Sequence, residues 1–456
     1  MMDYGWSSAG AIAAAVESGA AGAGEVIDQT LQRIDRRNTV LNAFTTVTAD
    51  RARARAATEP RGPLAGVPFA VKNLIDITGL WTLAGSKINR ERPPAIADAT
   101  LVARLEAAGA ILVGALNMGE FAYDFTGENS HYGPSRNPHD TTRMTGGSSG
   151  GSASAVAGGL VPIALGSDTN GSIRVPASFC GIFGLKPTFG RLSRAGSFPF
   201  VASLDHLGAF ARSTMDLAIA YDAMSGPDPL DPICADRIDP PIAPGLHRGA
   251  GGLRIASAGG YFRIGAGPEA LAAVDNAARA LGVSRDVELA EASRAREAAY
   301  VITTAEAGAL HLQRLRRRAR DFDPDVRDRL IAGAIVPAAW VVQAQKFRRW
   351  YRERVLRLFD EVDAILAPAT PCIAPPIGQR TFVLDGQEML LRPNIGIYTQ
   401  PISFIGLPVV AVPVPQADAM PIGVQVIAAP WHEDVALRIA YDLEARGVAR
   451  APRPPE

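Results

Sequence analysis

Residues 146–188, GGSSGGSASAVAGGLVPIALGSDTNGSIRVPASFCGIFGLKPT, constrain this chain more than any other stretch. They hold two serine-bearing glycine turns, one at Ser148-Ser149 and one at Ser172, on either side of an apolar run. Packing alone asks for no such pattern. Glycines beside a serine let the backbone adopt positive φ and come close to a ligand, leaving the hydroxyl and nearby N–H groups exposed. Two turns 24 residues apart meet at one place if the small-residue segment between them forms a helix followed by a returning strand.

A serine hydroxyl is a poor nucleophile without a neighbouring base. None of the six histidines (His131, His139, His206, His247, His311, His432) stands near an aspartate in an order that reads as a triad. Lysine is the better source. Only four of the 46 basic residues are lysine: Lys72, Lys87, Lys186 and Lys346. Arginine does not deprotonate in a protein, whereas a buried lysine can become neutral. Lys72 ends the apolar run 67–71, which reads as a short buried strand. An isolated lysine there could equally be a strand-end residue whose amine reaches water. The spacing Gly146-x-Ser148-x-Gly150 also fits the nucleophile elbow of α/β-hydrolases, but Asp205-His206 are too close in sequence to supply both partners comfortably, and Ser172 goes unexplained. A phosphate loop would need a lysine that this loop lacks.

The stretch resembles the signature of the amidase signature family, serine hydrolases that use a Ser–cis-Ser–Lys triad. The likeness extends to GVPFAVKNLID around Lys72, to NMGEFAYDFTGENSHYGPSRNPHD, to LDHLGAFARS, and to LAPATP and GLPVVAVP near the C-terminus. It implies an α/β fold with a mixed central β-sheet covered by helices on both faces, in a single domain over residues 1–456. It also implies that Ser172 is the acylated nucleophile, that Ser148 follows a cis peptide bond and relays protons, and that Lys72 is the base. Backbone N–H groups of Thr169, Asn170, Gly171 and Ser172 would form the oxyanion hole. The usual family turn reads DTGGSIR; here Asn170 replaces a glycine, and asparagine tolerates left-handed geometry best after glycine. Asn170 and Arg174 are the candidates for substrate binding. Neither a metal nor a cofactor is expected, and no ligand-spaced His/Cys cluster is present to bind a metal.

Composition sets bounds on the remaining possibilities. The chain carries 46 basic and 46 acidic residues, so no global field favours nucleic acid. The run 314–320 is basic but is followed at once by Asp321, Asp323 and Asp325, the pattern of a solvated helix end. Three widely spaced cysteines (Cys180, Cys234, Cys372) suit a reducing cytoplasm. The N-terminal segment carries Glu17 and Glu25 and does not read as a signal peptide; apolar runs elsewhere are too short for a bilayer. Residues 225–252, dense in Pro, Gly and Asp, read as a surface excursion before a more helical half.

Within the family, residues 82–90 (TLAGSKINR), GSDTNGSIRVPAS and MPIGVQVIAAPW resemble the branch that hydrolyses carboxybiuret in cyanuric acid degradation. That resemblance implies a small, planar, anionic amide as substrate, ammonia as a product, and a small helical partner subunit in a heteromeric complex. The A subunits of tRNA-dependent amidotransferases, which release ammonia from glutamine, are the second branch it resembles. A general aliphatic or aryl amidase is a third reading, and a catalytically silent scaffold a fourth.

Overall fold

A computed structural model describes residues 3–416 and 420–455; Met1, Met2 and Glu456, the ends of the expected 1–456 domain, lie outside them. Eleven strands build one mixed sheet: β1 (Phe44–Val47), β2 (Pro68–Lys72), β3 (Ile111–Leu116), β4 (Ile163–Asp168), β5 (Phe183–Lys186), β6 (His206–Ala211), β7 (Ile255–Ala258), β8 (Asp286–Val287), β9 (Ala364–Pro368), β10 (Val409–Pro413) and β11 (Gly423–Ala428). Their order across the sheet is β1-β3-β2-β4-β6-β5-β10-β11-β9-β7-β8. The fold is thus α/β with a mixed sheet, as the sequence resemblance implies. Five helices carry the rest of the description: α1 (Gly150–Ala157), α2 (Arg174–Cys180), α3 (Ala292–Arg318), α4 (Pro324–Ala334) and α5 (Ala338–Leu358).

β2 lies between β3 and β4, parallel to both. A strand in that position is covered on both faces, which is why it reads as a continuous apolar run and not as an alternation. Phe69 and Val71 enter one hydrophobic core, and Ala70 enters the core on the other face. The register pairs Val71 with Leu165, so Lys72 emerges beside the Gly166–Ser167 end of β4. The segment between the two serine turns is the helix α1 followed by the strand β4, the arrangement that brings both turns to one end of the sheet. α1, GGSASAVA, is buried along its whole length, and its small side chains let it lie close against the sheet.

α3 is a 27-residue helix that packs against α4 and α5. α4 starts cleanly: the Asp323 carboxylate accepts the Asp325 N–H, and Pro324 occupies a first-turn position where its missing N–H is not needed. The basic run at the end of α3 is only in part the solvated helix end that the charge pattern suggests. Arg316, Arg317 and Arg320 are exposed. Arg314 is half-buried, lying 5.9 Å from the ring centre of Phe121 and 5.7 Å from that of Phe198. Its place on the helix turns it toward the body, where aromatic faces take the cation. No single described helix is long and apolar enough to cross a membrane; α4 and α5 meet the test only as a pair bent by 96°.

Candidate active site

Lys72 has no solvent exposure. Its Nζ lies 2.7 Å from Ser148 Oγ, 2.9 Å from Ser149 Oγ and 2.9 Å from Ser167 Oγ. No carboxylate makes an ion pair with it among the described residues. Burial therefore governs its titration: it pulls the amine down to about 7, against weaker opposing fields from Asp168, Asp124 and Asp205. Each of those carboxylates is engaged elsewhere. Asp168 pairs with Arg174, Asp124 with Arg392, and Asp205 accepts the Thr169 hydroxyl.

Ser148 reaches this lysine through an unusual backbone. The Gly147–Ser148 peptide is cis, and Gly146 has φ 75°. The bend is held from both sides, since Gly119 N–H donates to the Ser148 carbonyl at 3.1 Å and Gly147 N–H to that of Phe125 at 2.9 Å. A side chain at position 147 has no room: its Cβ would lie 2.3 Å from an Asp124 carboxylate oxygen.

The second turn runs from the end of β4 into α2 and is fastened at each step. Thr169 Oγ1 donates to Asp205 Oδ1 (2.6 Å), Asn170 Nδ2 to Thr303 Oγ1 of α3 (2.9 Å), and Thr399 Oγ1 to the Asn170 carbonyl (2.6 Å). Gly171 sits at φ 142°, and a Cβ there would fall 2.2 Å from Thr399 Oγ1, so only glycine fits. Among the described residues the N–H groups of Thr169, Asn170, Gly171 and Ser172 find no protein acceptor. A row of free N–H groups on a rigid turn is the geometry that holds a developing oxyanion. Ser172 is nearly buried, and no hydrogen bond joins its hydroxyl to that of Ser148 among the described residues.

Arg174 lies in the wall behind the turn. It is fully buried, and its five guanidinium N–H groups are taken by Asp168, Gln425, the Thr399 carbonyl and Ser403. The guanidinium holds the Asp168 carboxyl well below the usual carboxylate range in spite of burial, which acts the other way. No donor is left for a substrate carboxylate. His206, the histidine of the elbow alternative, faces the Asp168 backbone carbonyl through Nδ1 at 3.0 Å and bonds to neither serine. No group of three or more His, Cys, Asp or Glu is placed to hold a metal among the described residues.

Four further residues complete the arrangement. Ser149 and Ser167 carry a signal in the sequence, a second serine in the GGSS run and a serine that follows the apolar start of a strand. Thr303 and Thr399 carried none, because each arrives from more than 100 residues away in sequence.

Comparison with known proteins gives this geometry its setting. The amidase family model matches residues 25–437. A 1-carboxybiuret hydrolase subunit, AtzE, from Pseudomonas sp. (strain ADP) is 56% identical over 446 residues, covering 95% of this chain and 97% of the relative. The glutamyl-tRNA(Gln) amidotransferase A subunit of Koribacter versatilis (strain Ellin345) is 38% identical over 467 residues, covering 94% and 96%. Among solved structures, an inhibitor-bound vestigial protein complex bearing on the origins of an s-triazine catabolic enzyme superposes with a TM-score of 0.96 at 54% identity, covering 98% of this chain and all of that one.

Proposed function

The chain belongs to the amidase signature family and is a hydrolase of amide C–N bonds, and from that premise we propose that it cleaves 1-carboxybiuret to urea-1,3-dicarboxylate and ammonia through an acyl-enzyme on Ser172. The contact that carries the mechanism is the 2.7 Å approach of a buried lysine, its amine pulled down to about 7, to the Ser148 hydroxyl. Near neutral pH such an amine is available as a base, whereas an ordinary lysine at 10.5 is not.

Neutral Lys72 accepts the Ser148 proton while Ser148 accepts the Ser172 proton, and Ser172 Oγ bonds to the amide carbon. The carbonyl oxygen becomes an oxyanion facing the free N–H groups of the 169–172 turn. Loss of one such donor typically costs about 3–4 kcal/mol of barrier. The tetrahedral species collapses by breaking the C–N bond, with Ser148 giving its proton to the nitrogen and regaining one from Lys72, so that ammonia leaves and Lys72 is neutral again. Water then attacks the Ser172 ester while protons pass through Ser148 to Lys72, and they return through Ser148 to Ser172 Oγ as the acid is released and the hydroxyl restored.

The relative at 56% identity supports carboxybiuret as the substrate, and the neighbouring solved complex supports a partner subunit, which we take to be small and helical and to form a heteromer with this chain in the cytoplasm. The amidotransferase relatives at 38% identity favour a second reading, glutamine hydrolysis in tRNA-dependent amidation. Ammonia release from carboxybiuret generated in situ, with glutamine in parallel, separates the two. Release from carboxybiuret that Ser172→Ala abolishes and that glutamine does not match is the expected result. Turnover of glutamine alone would transfer the chain to the amidotransferase reading.

A further inference from the structure

The hydroxyls around Lys72 can be assigned as donors and acceptors, and the assignment leaves one place for the amine's lone pair. Ser149 Oγ donates its single proton to the Ser167 carbonyl at 3.1 Å and accepts the Ser167 N–H at 3.3 Å. Toward Lys72, 2.9 Å away, it can therefore only accept. Ser167 Oγ has Lys72 as its one protein partner among the described residues, and the residue lines a cleft of about 190 Å³ shared with Leu74, Phe198, Phe200 and Asp205. Its proton can turn into that cleft, which leaves its oxygen able to accept from Lys72. A neutral amine carries two protons, and these two oxygens can take both. What remains for Ser148, at 2.7 Å, is the nitrogen's lone pair.

We propose that Ser167 is a positioning residue which, together with Ser149, holds the two amine protons of neutral Lys72 so that its lone pair is directed at the Ser148 hydroxyl. The inference rests on the acyl-enzyme reading above and adds to it a residue whose hydroxyl bonds to the base and not to Ser172. Without Ser167 the amine rotates, and the lone pair spends part of its time turned away from Ser148. The same acceptor also stabilises the protonated amine, so its removal makes Lys72 easier to deprotonate. The other groups facing Lys72 are the hydroxyls of Ser148 and Ser149 and, at longer range, the carboxylates of Asp168 on β4 and of Asp124 and Asp205 on loops; each carboxylate is already satisfied elsewhere.

The test is the pH profile of Ser172-dependent ammonia release by the purified chain, with its partner where the partner is needed, for wild type, Ser167→Ala and Ser167→Thr. In Ser167→Ala the plateau of kcat is expected to fall about tenfold with KM within about twofold, and the acid limb to move at least about half a unit below its wild-type position. Ser167→Thr, which keeps the acceptor, restores both. An unchanged profile in Ser167→Ala overturns the inference, as does a lower plateau with an unmoved limb that threonine fails to rescue. With only four lysines in the chain, 15N NMR of labelled lysine follows the Lys72 amine directly, using Lys72→Met as the blank. If wild type shows no Ser172-dependent turnover, the acyl-enzyme reading falls. The NMR titration then decides the positioning inference by itself: a lowered Lys72 titration in Ser167→Ala supports it, and an unmoved one removes it.

Discussion

Lys72 and Lys186 are the two lysines without solvent exposure, and in several respects they are the same object. Each ends a strand of the central sheet, β2 and β5, and burial pulls each amine down to about 7. They differ in what surrounds the nitrogen. Lys72 faces three serine hydroxyls, whereas Lys186 donates to the carbonyls of Pro187 (2.9 Å) and Leu407. A carbonyl can accept a proton in a hydrogen bond but has none to give. Burial makes a neutral amine in both places; a base needs a neighbour able to surrender a proton, and only one of the two has it. The Lys186 amine instead joins two stretches of backbone, that just after β5 and that just before β10.

Removing each amine in turn separates the two sites by the largest effect. Lys72→Met should lower kcat/KM about 10³-fold, within the range usual for loss of a general base. Lys72→Arg should do no better, because a guanidinium stays protonated. Lys186→Met should change ammonia release no more than a few-fold. Equal losses in two folded variants would mean that burial, and not the hydroxyl partners, sets the chemistry.

How much of this the sequence discloses follows the same division. The pair of serine turns, the helix and strand between them, and Lys72 at the end of a buried run are all local patterns, and local patterns are readable. The scarcity of lysine pointed toward Lys72 but could not separate it from Lys186, since the carbonyl of Leu407 that distinguishes them lies 221 residues away from Lys186. Lys87 and Lys346, the lysines without a task in the sequence, are exposed. Arg174 stands two residues from Ser172 in sequence and reads as available for a carboxylate. Its commitments to Gln425, Ser403 and the Thr399 carbonyl depend on how distant segments pack. Thr303 and Thr399, which fasten the turn, were illegible for the same reason. Residues 225–252 read as an excursion, yet Asp228 accepts from Thr100 and Ser193, and Asp231 pairs with Arg194, so its acidic residues tie it to the body.

The two lysines also differ, by a smaller amount, in what they contribute to stability. Lys186→Met leaves the carbonyls of Pro187 and Leu407 buried without their donor, and an unpaired buried polar group costs about 1–3 kcal/mol. The methionine stem recovers packing and removes the need to desolvate an amine, which places the expected loss toward the lower end. Lys72→Met strands no backbone carbonyl, and Ser149 keeps both of its bonds to the Ser167 backbone. Urea denaturation at neutral pH should therefore rank Lys186→Met below Lys72→Met in stability, the reverse of their order in activity. If Lys72→Met were the less stable variant, the hydroxyl cluster would be a structural staple as well as a proton relay.

The smallest effect concerns what the two lysines share. Between about 7 and 10.5 each is neutral in the folded chain and protonated in the unfolded one. Over that window the unfolded state binds more protons, so stability rises with pH, and it levels off above 10.5 where both states are neutral. Removing one such lysine should flatten the rise by up to about 1.4 kcal/mol per pH unit relative to wild type, with the titration of all other groups cancelling in the difference. Unfolding free energies at a series of pH values from 7 to 10 would measure it for Lys72→Met, Lys186→Met and the double variant. Equal flattening by each single variant, and twice as much in the double, would mean that the protein buries both amines at the same electrostatic cost. The split in activity would then come from the partners alone. A flattening confined to Lys186→Met would mean that the serine cluster keeps Lys72 charged in the folded chain well above pH 7, and the base would have to be switched on by substrate.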